Sequence, residues 1–321
     1  MLSIWTSYKH NTTNSFVALS AIILLTVTIY TLPLLADSYS DDDQPGYSAE
    51  NPVTTNDQWT PVIEEFEGVE MVLVPAGCFQ MGSSDEQLET VIALCEGVLG
   101  EGNNKCKLRV FNDEQPQTEI CFDQPFWIDR YEVSNGQFAA FNGAAENNSF
   151  WGDDELPREQ LTWFEARDFC DLREAQLPTE AQWEYAAAGP DSLIFPWGND
   201  FDGTMVNFCD ENCNYDEWKD LDSDDGYRNT APVGTYENSS WVGAYDLSGN
   251  VWEWNSTIEE DYPYNADDGR EGDEDVDDDH ILRGGSFNHS SYHLRTANRH
   301  FDDPTEAFLS YGFRCSRPYD E

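Results

Sequence analysis

Three imidazoles near the end of the chain, His289, His293 and His300, are the side chains best suited to hold a transition metal. Neutral imidazole suits Cu(II) or Zn²⁺; the plainer alternative is that all three are polar residues satisfied by their neighbours. Asn288, Tyr292, Arg295, Asn298 and Arg299 are interleaved with them. Arginine makes bidentate bonds to carboxylates or peptide carbonyls, so Arg295 and Arg299 could grip a ligand or pair with internal Asp or Glu. Upstream, Asp246-Leu247-Ser248-Gly249-Asn250-Val251-Trp252-Glu253 offers carboxylate, amide and backbone oxygens in one short stretch. Calcium collects such oxygens, although Gly249-Asn250 and Asp225-Gly226 also read as turns. The chain shows no Ser-His-Asp order, P-loop or dinucleotide fingerprint.

The eight cysteines are Cys78, Cys95, Cys106, Cys121, Cys170, Cys209, Cys213 and Cys315. An even count in an exported chain implies disulfides. Spacing pairs Cys95 with Cys106 across one local excursion and Cys209 with Cys213 across a tight loop. No CxxC pair accompanies clustered histidine, which argues against structural zinc. Export is expected from the one long apolar run, Phe16 to Ala36, which an acidic stretch follows at once. Residues 1–36 read as a cleaved signal peptide or as a single N-terminal membrane anchor. The formal charge of −47 excludes nucleic acid as a partner, because phosphates would meet a repelling field. An acid-rich surface or calcium-binding carboxylates account for it.

Residues 37–60, rich in Asp, Ser, Pro and Thr, read as a disordered acidic linker. Glu70 to Gly77 and Cys78 to Gly82 read as strands separated by a Pro/Gly turn. Glu86 to Val98 has helical spacing and is read as a disulfide-pinned insertion. Gln117 to Tyr131 returns to strand, with Phe122, Phe126, Trp127 and Ile128 inward. Helices are predicted from Ser134, over about Trp163 to Arg173, and from Thr179 as N-cap. Glu259 to His280 is read as a solvated acidic loop between two strands. One domain over 61–319 is the economical reading.

A series of blocks then appears in order. These include Met71-Val72-Leu73-Val74-Pro75-Ala76-Gly77, Tyr131-Glu132-Val133-Ser134 and Leu177-Pro178-Thr179-Glu180-Ala181-Gln182-Trp183-Glu184-Tyr185-Ala186. Phe195-Pro196-Trp197-Gly198, the 246–254 stretch, Arg283-Gly284-Gly285-Ser286 and Gly312-Phe313-Arg314 complete it. Together they resemble the sulfatase-modifying factor or formylglycine-generating enzyme superfamily. The resemblance implies an α+β domain of irregular C-type-lectin-like fold with little regular secondary structure. It implies calcium held by the Asp246 and Glu253 side chains and the Gly249 and Val251 carbonyls. A second calcium site would use Asn207, the Phe208 carbonyl, Asp225 and the Tyr227 carbonyl. A bridge Cys170–Cys315 matches one in part of the family, which leaves Cys78–Cys121. Asn288, Tyr292, Arg295, Asn298 and Arg299 would line the ligand face.

The family's oxidising members hold copper with two thiolates between Ser286 and Gly312. Here that stretch has no cysteine, and His289 and His293 are the nearest counterparts. Copper is therefore not expected as a cofactor. The expected function is an exported, non-oxidising domain that binds an extracytoplasmic peptide, glycan or partner protein. The alternatives are a metal-dependent oxidoreductase using His289 and His293, or a formylglycine generator acting on sulfatases.

Overall fold

The computed structural model describes residues 45–216, 218–236, 239–272 and 278–319. The apolar run 16–36 lies outside them, so neither the signal peptide nor the anchor is addressed. No described helix is long and apolar enough to cross a membrane.

Alternation and apolar runs give short strands. β1 (Ile63–Phe66), β2 (Val69–Val74), β5 (Phe126–Asp129) and β10 (Ser316–Pro318) form one antiparallel sheet in the order β1-β2-β5-β10. β3 (Gly77–Met81) pairs with β4 (Thr118–Phe122), and Cys78 sits opposite Cys121, where they are bonded. The third sheet, in the order β8-β7-β6-β9, carries the candidate site. It comprises β6 (Trp252–Ile258), β7 (His280–Arg283), β8 (Arg299–Asp302) and β9 (Tyr311–Gly312).

The helices start where hydroxyl caps and paired Gln or Glu allow. α1 (Asp85–Leu99), α3 (Trp163–Leu172) and α4 (Glu180–Ala188) each open with a capping box, on Ser84/Gln87, Thr162/Glu165 and Thr179/Gln182. α2 (Asn135–Ala140) is capped by Ser134. All four expected disulfides are present: Cys78–Cys121, Cys95–Cys106, Cys170–Cys315 and Cys209–Cys213. Cys170–Cys315 closes a separation of 145 residues, joining α3 to the approach to β10. A loop that long contributes about 4–5 kcal/mol in the chain-entropy account.

Two expectations need correction. Residues 45–60 do not form a free tether: Val53 is fully buried and bridges to Gly77, and Trp59 joins the core. Two large apolar side chains outweigh the polar average of that stretch. The 259–280 segment is not simply solvated, because Tyr262, Tyr264 and Arg270 are buried in it. Phe122 faces inward as expected: it is half-buried on the inner side of β4 and packs against Phe126 and Tyr185 of the core.

Candidate functional site

The site loop runs from Gly284 to Asn298, between β7 and β8. Arg283, fully buried, ties its two ends: its guanidinium donates to the Thr296 and Asn298 carbonyls at 3.0 and 2.8 Å. The same guanidinium pairs with Glu184 on α4. Gly285 has φ +76°, and a Cβ there would lie 2.8 Å from the His293 carbonyl oxygen. Only glycine lets the loop fold back so closely.

That fold brings His289 and His293 together, with ring centroids 5.1 Å apart and near-perpendicular planes. Each Nδ1 faces a serine hydroxyl, Ser286 at 2.8 Å and Ser290 at 3.4 Å. The Trp252 ring contacts His289 at 5.4 Å and His300 at 5.2 Å, so the third imidazole packs beside the indole. His300 instead meets the Tyr311 hydroxyl at 2.8 Å, which in turn donates to Asp302 at 2.9 Å. Burial, with the nearby His300, pushes the His289 pKa down to about 4. Burial, then His289, lowers His293 too. All three rings are half-buried.

The expected gripping residues are mostly not free. Arg295 is buried and makes a bidentate pair with Glu114, both bonds 2.6 Å. Arg299 pairs with Glu180 at 2.6 Å, and the Asn298 side chain accepts from Arg295 at 3.1 Å. Tyr292 is buried in a cluster with Leu88, Val91 and Cys95 of α1 and with Phe111. The insertion therefore packs down on the expected ligand face and covers Tyr292, Arg295 and Asn298. Asn288 stays partly open; its carbonyl accepts from Trp218 Nε1 at 2.9 Å, and the His289 carbonyl accepts from Cys209 N–H at 2.9 Å. Sequence reasoning missed Glu114 and Glu180 as partners. The apolar stripe of α1, which had to cover something, was the available signal.

The two calcium stretches meet. Asn250 N–H donates to the Asn207 carbonyl at 2.9 Å, and a Cβ on Gly249 would lie 2.2 Å from that oxygen. Asn207 is buried, and among the described residues its Oδ1 has no hydrogen-bond partner. Asp225 accepts from the Phe208 and Tyr227 amides at 2.8 Å each. Burial, added to the Asp210 charge, raises its pKa to about 7. Asn207 thus offers an unpaired amide oxygen one residue from Phe208, whose amide donates to Asp225, and such oxygens suit an oxygen-preferring cation. The first site fits less well. Both Glu253 oxygens bind Arg314, at 2.6 Å each, and one also accepts from Trp183 Nε1 at 2.7 Å. Glu253 is thus an ion-pair partner here, not a free ligand. Asp246, raised to about 6 by burial, accepts from Gly234 N–H at 2.6 Å.

A sequence profile described as the sulfatase-modifying factor enzyme 1-like domain matches residues 60–319. The chain belongs to this family. The inactive C-alpha-formylglycine-generating enzyme 2 of Bos taurus is 32% identical over 173 residues, covering 50% of this chain and 50% of that protein. The chain thus matches about half the length of that relative. The formylglycine-generating enzyme of Mus musculus is 26% identical over 313 residues, covering 77% and 74% of the two chains. Among solved structures, PvdO from Pseudomonas aeruginosa aligns with TM-score 0.63 and 21% identity, over 81% of this chain and all of that one. The fold is the C-type-lectin-like fold of formylglycine-generating enzymes. The family's copper site requires two thiolates; all eight cysteines here are in disulfides, so the residues present do not fit it. Among the described residues no three His, Cys, Asp or Glu side chains are arranged to hold a metal ion.

Proposed function

We propose that this family member is exported, does not oxidise, and binds an extracytoplasmic peptide, glycan or partner protein. One observation carries the reading: the stretch between Ser286 and Gly312 holds imidazoles and no cysteine, and every cysteine is locked in a disulfide. Imidazole cannot replace a thiolate as nucleophile or as a soft Cu(I) ligand in the same mechanism. The four disulfides support an oxidising compartment. The relative named as inactive supports a non-catalytic role. The test is incubation of the protein with copper, oxygen and a Cys-x-Pro-x-Arg peptide. No aldehyde is expected by mass spectrometry; robust conversion overturns the reading. Metal analysis before and after His293→Ala separates it from a metal-dependent oxidoreductase. Stoichiometric iron or copper lost with His293 would favour the enzyme.

Calcium belongs to the same reading as a structural ion at Asn207 and Asp225. A cation there would bind the unpaired Oδ1 and replace the proton that burial forces onto Asp225. Calcium at one hundred times its Kd is expected to add about 2.7 kcal/mol of stability. Calorimetry should show a rise in Tm with calcium that Asn207→Ala abolishes. An equal rise in the variant would remove calcium from this position.

A further inference from the structure

Two open clefts lie beside the insertion. One, ≈720 Å³, is lined by Trp197, Asp200, Phe201, Asp202 and the 220–224 segment. The other, ≈650 Å³, lies between α1 and residues 219–222, with Ala93, Leu94, Gly97 and Val98 on its helical wall. Phe201, Asp220 and Asp222 line both, so the clefts form one continuous groove. Its two ends differ in chemistry. Towards α1 the wall is aliphatic, and Leu221 stands 73% exposed at its edge. At the other end half-buried Trp197 and Phe201 sit among Asp200, Asp202, Asp220, Asp222 and Asp224.

Acidity alone distinguishes nothing in a chain of charge −47. What sets this place apart is carboxylate beside an aromatic floor, joined to an aliphatic trough. The only lysine lining the groove, Lys219, already pairs with Asp216 at 3.5 Å. The Asp200 and Asp222 carboxylates accept no hydrogen bond from the described residues, so they are free to meet a cation. Asp202 and Asp224 are partly engaged in capping Thr204 and Gly226. Trp197 and Phe201 add ring faces, which attract ammonium and guanidinium groups.

We infer that this groove docks a segment of a partner protein that carries Lys or Arg next to aliphatic residues, with its cations at Asp200 and Asp222 and its aliphatic side chains against Ala93 and Leu94. The inference rests on the reading of the chain as a binding protein and moves the contact away from the covered 292–298 face. Charge complementarity fixes the basic half of the occupant, and the α1 wall fixes the apolar half. A purely basic segment would leave that wall unused. A purely apolar one would desolvate carboxylates without pairing them.

The probe is a fluorescein-labelled Lys-Leu-Lys-Leu-Lys-Leu peptide, with Lys-Ser-Lys-Ser-Lys-Ser for comparison, titrated onto the intact protein by anisotropy in 0.15 M salt. The leucine peptide is expected to bind at least tenfold tighter than the serine one. Ala93→Trp, at an exposed helix position, fills the aliphatic trough and should weaken the leucine peptide about tenfold. Asp200→Asn with Asp222→Asn should do the same and flatten the salt dependence. Glu64→Gln with Asp123→Asn removes equal charge outside the groove and should change affinity less than twofold; circular dichroism confirms the fold of each variant. Equal losses in the two charge pairs, equal affinity for the two peptides, or no effect of Ala93→Trp overturns the groove. Aldehyde formation on the Cys-x-Pro-x-Arg peptide would instead overturn the wider reading, so the two failures are distinguishable.

Discussion

Replacing Arg314 by Ala is expected to lower the free energy of unfolding by about 3–5 kcal/mol. The guanidinium is fully buried and neutralises Glu253 through two 2.6 Å bonds. It also donates to the backbone carbonyls of Asp129 at 3.1 Å and Tyr245 at 2.7 Å, so it joins β5, β6 and the 245 turn. Burial raises Glu132 and Asp246, and the Glu253 charge lies close enough to add to both. Without Arg314, three carboxylates would share a dry site with no counter-charge. Removing one partner of a buried pair costs far more than the pair contributes net. Adding Glu253→Gln to Arg314→Ala removes part of the stranded charge and should recover a third or more of the loss. Urea unfolding followed by Trp fluorescence at pH 7.5 reads both numbers. A loss under about 1 kcal/mol for Arg314→Ala would mean that solvent or a cation already satisfies Glu253.

Stability should rise as pH falls from about 8 to about 6 when calcium is chelated. Asp225 and Asp246 carry folded pKa values of about 7 and about 6, against ordinary values of 3.8, and burial leads in both. Glu132 is raised too, by burial and then by Asp246. A raised carboxyl binds its proton more tightly when folded, so folding gains as pH falls from 8 towards 6. At about 1.4 kcal/mol per pKa unit, Asp225 and Asp246 together give a gain on the order of 2 kcal/mol, and Glu132 adds in the same direction. The imidazoles act in the opposite sense. His280 and His289 are held at about 4 by burial, below their ordinary 6.5, so the unfolded chain takes up protons first. Their contribution is full above pH 6.5 and is lost as pH falls towards 4, which opposes the carboxyl gain below pH 6.5. General charge repulsion would also relax on acidification, so the series belongs at 0.5 M salt, where exposed charges are screened. Stability that is flat or rising from pH 6 to 8 under those conditions contradicts the assignment. Saturating calcium should remove the Asp225 part of the slope, because the ion replaces the proton.

The elements were legible where local physics decides them. Ser84, Ser134, Thr162 and Thr179 begin helices because a hydroxyl can take an otherwise unpaired amide, whatever the tertiary context. The pairs Cys95–Cys106 and Cys209–Cys213 followed from spacing, since short loops leave few partners in reach. Burial in sparse segments was not legible. Val53 and Trp59 lie in a polar stretch whose average composition hides two core residues. Tyr262 and Tyr264 did the same in the acidic loop.

The sequence by itself determined that this chain carries the fold without the thiols, because a motif order and a missing residue type are one-dimensional facts. It also showed that His289 and His293 lie in the stretch where the thiols are missing. Only the tertiary structure decided what the arginines do. Arg295 and Arg299 find Glu114 and Glu180, which lie 181 and 119 residues away along the chain. A buried guanidinium must be paired, and the partner is whichever carboxylate the packing brings near. The same packing lays α1 over Tyr292 and opens a groove on its other flank, where no motif marked one.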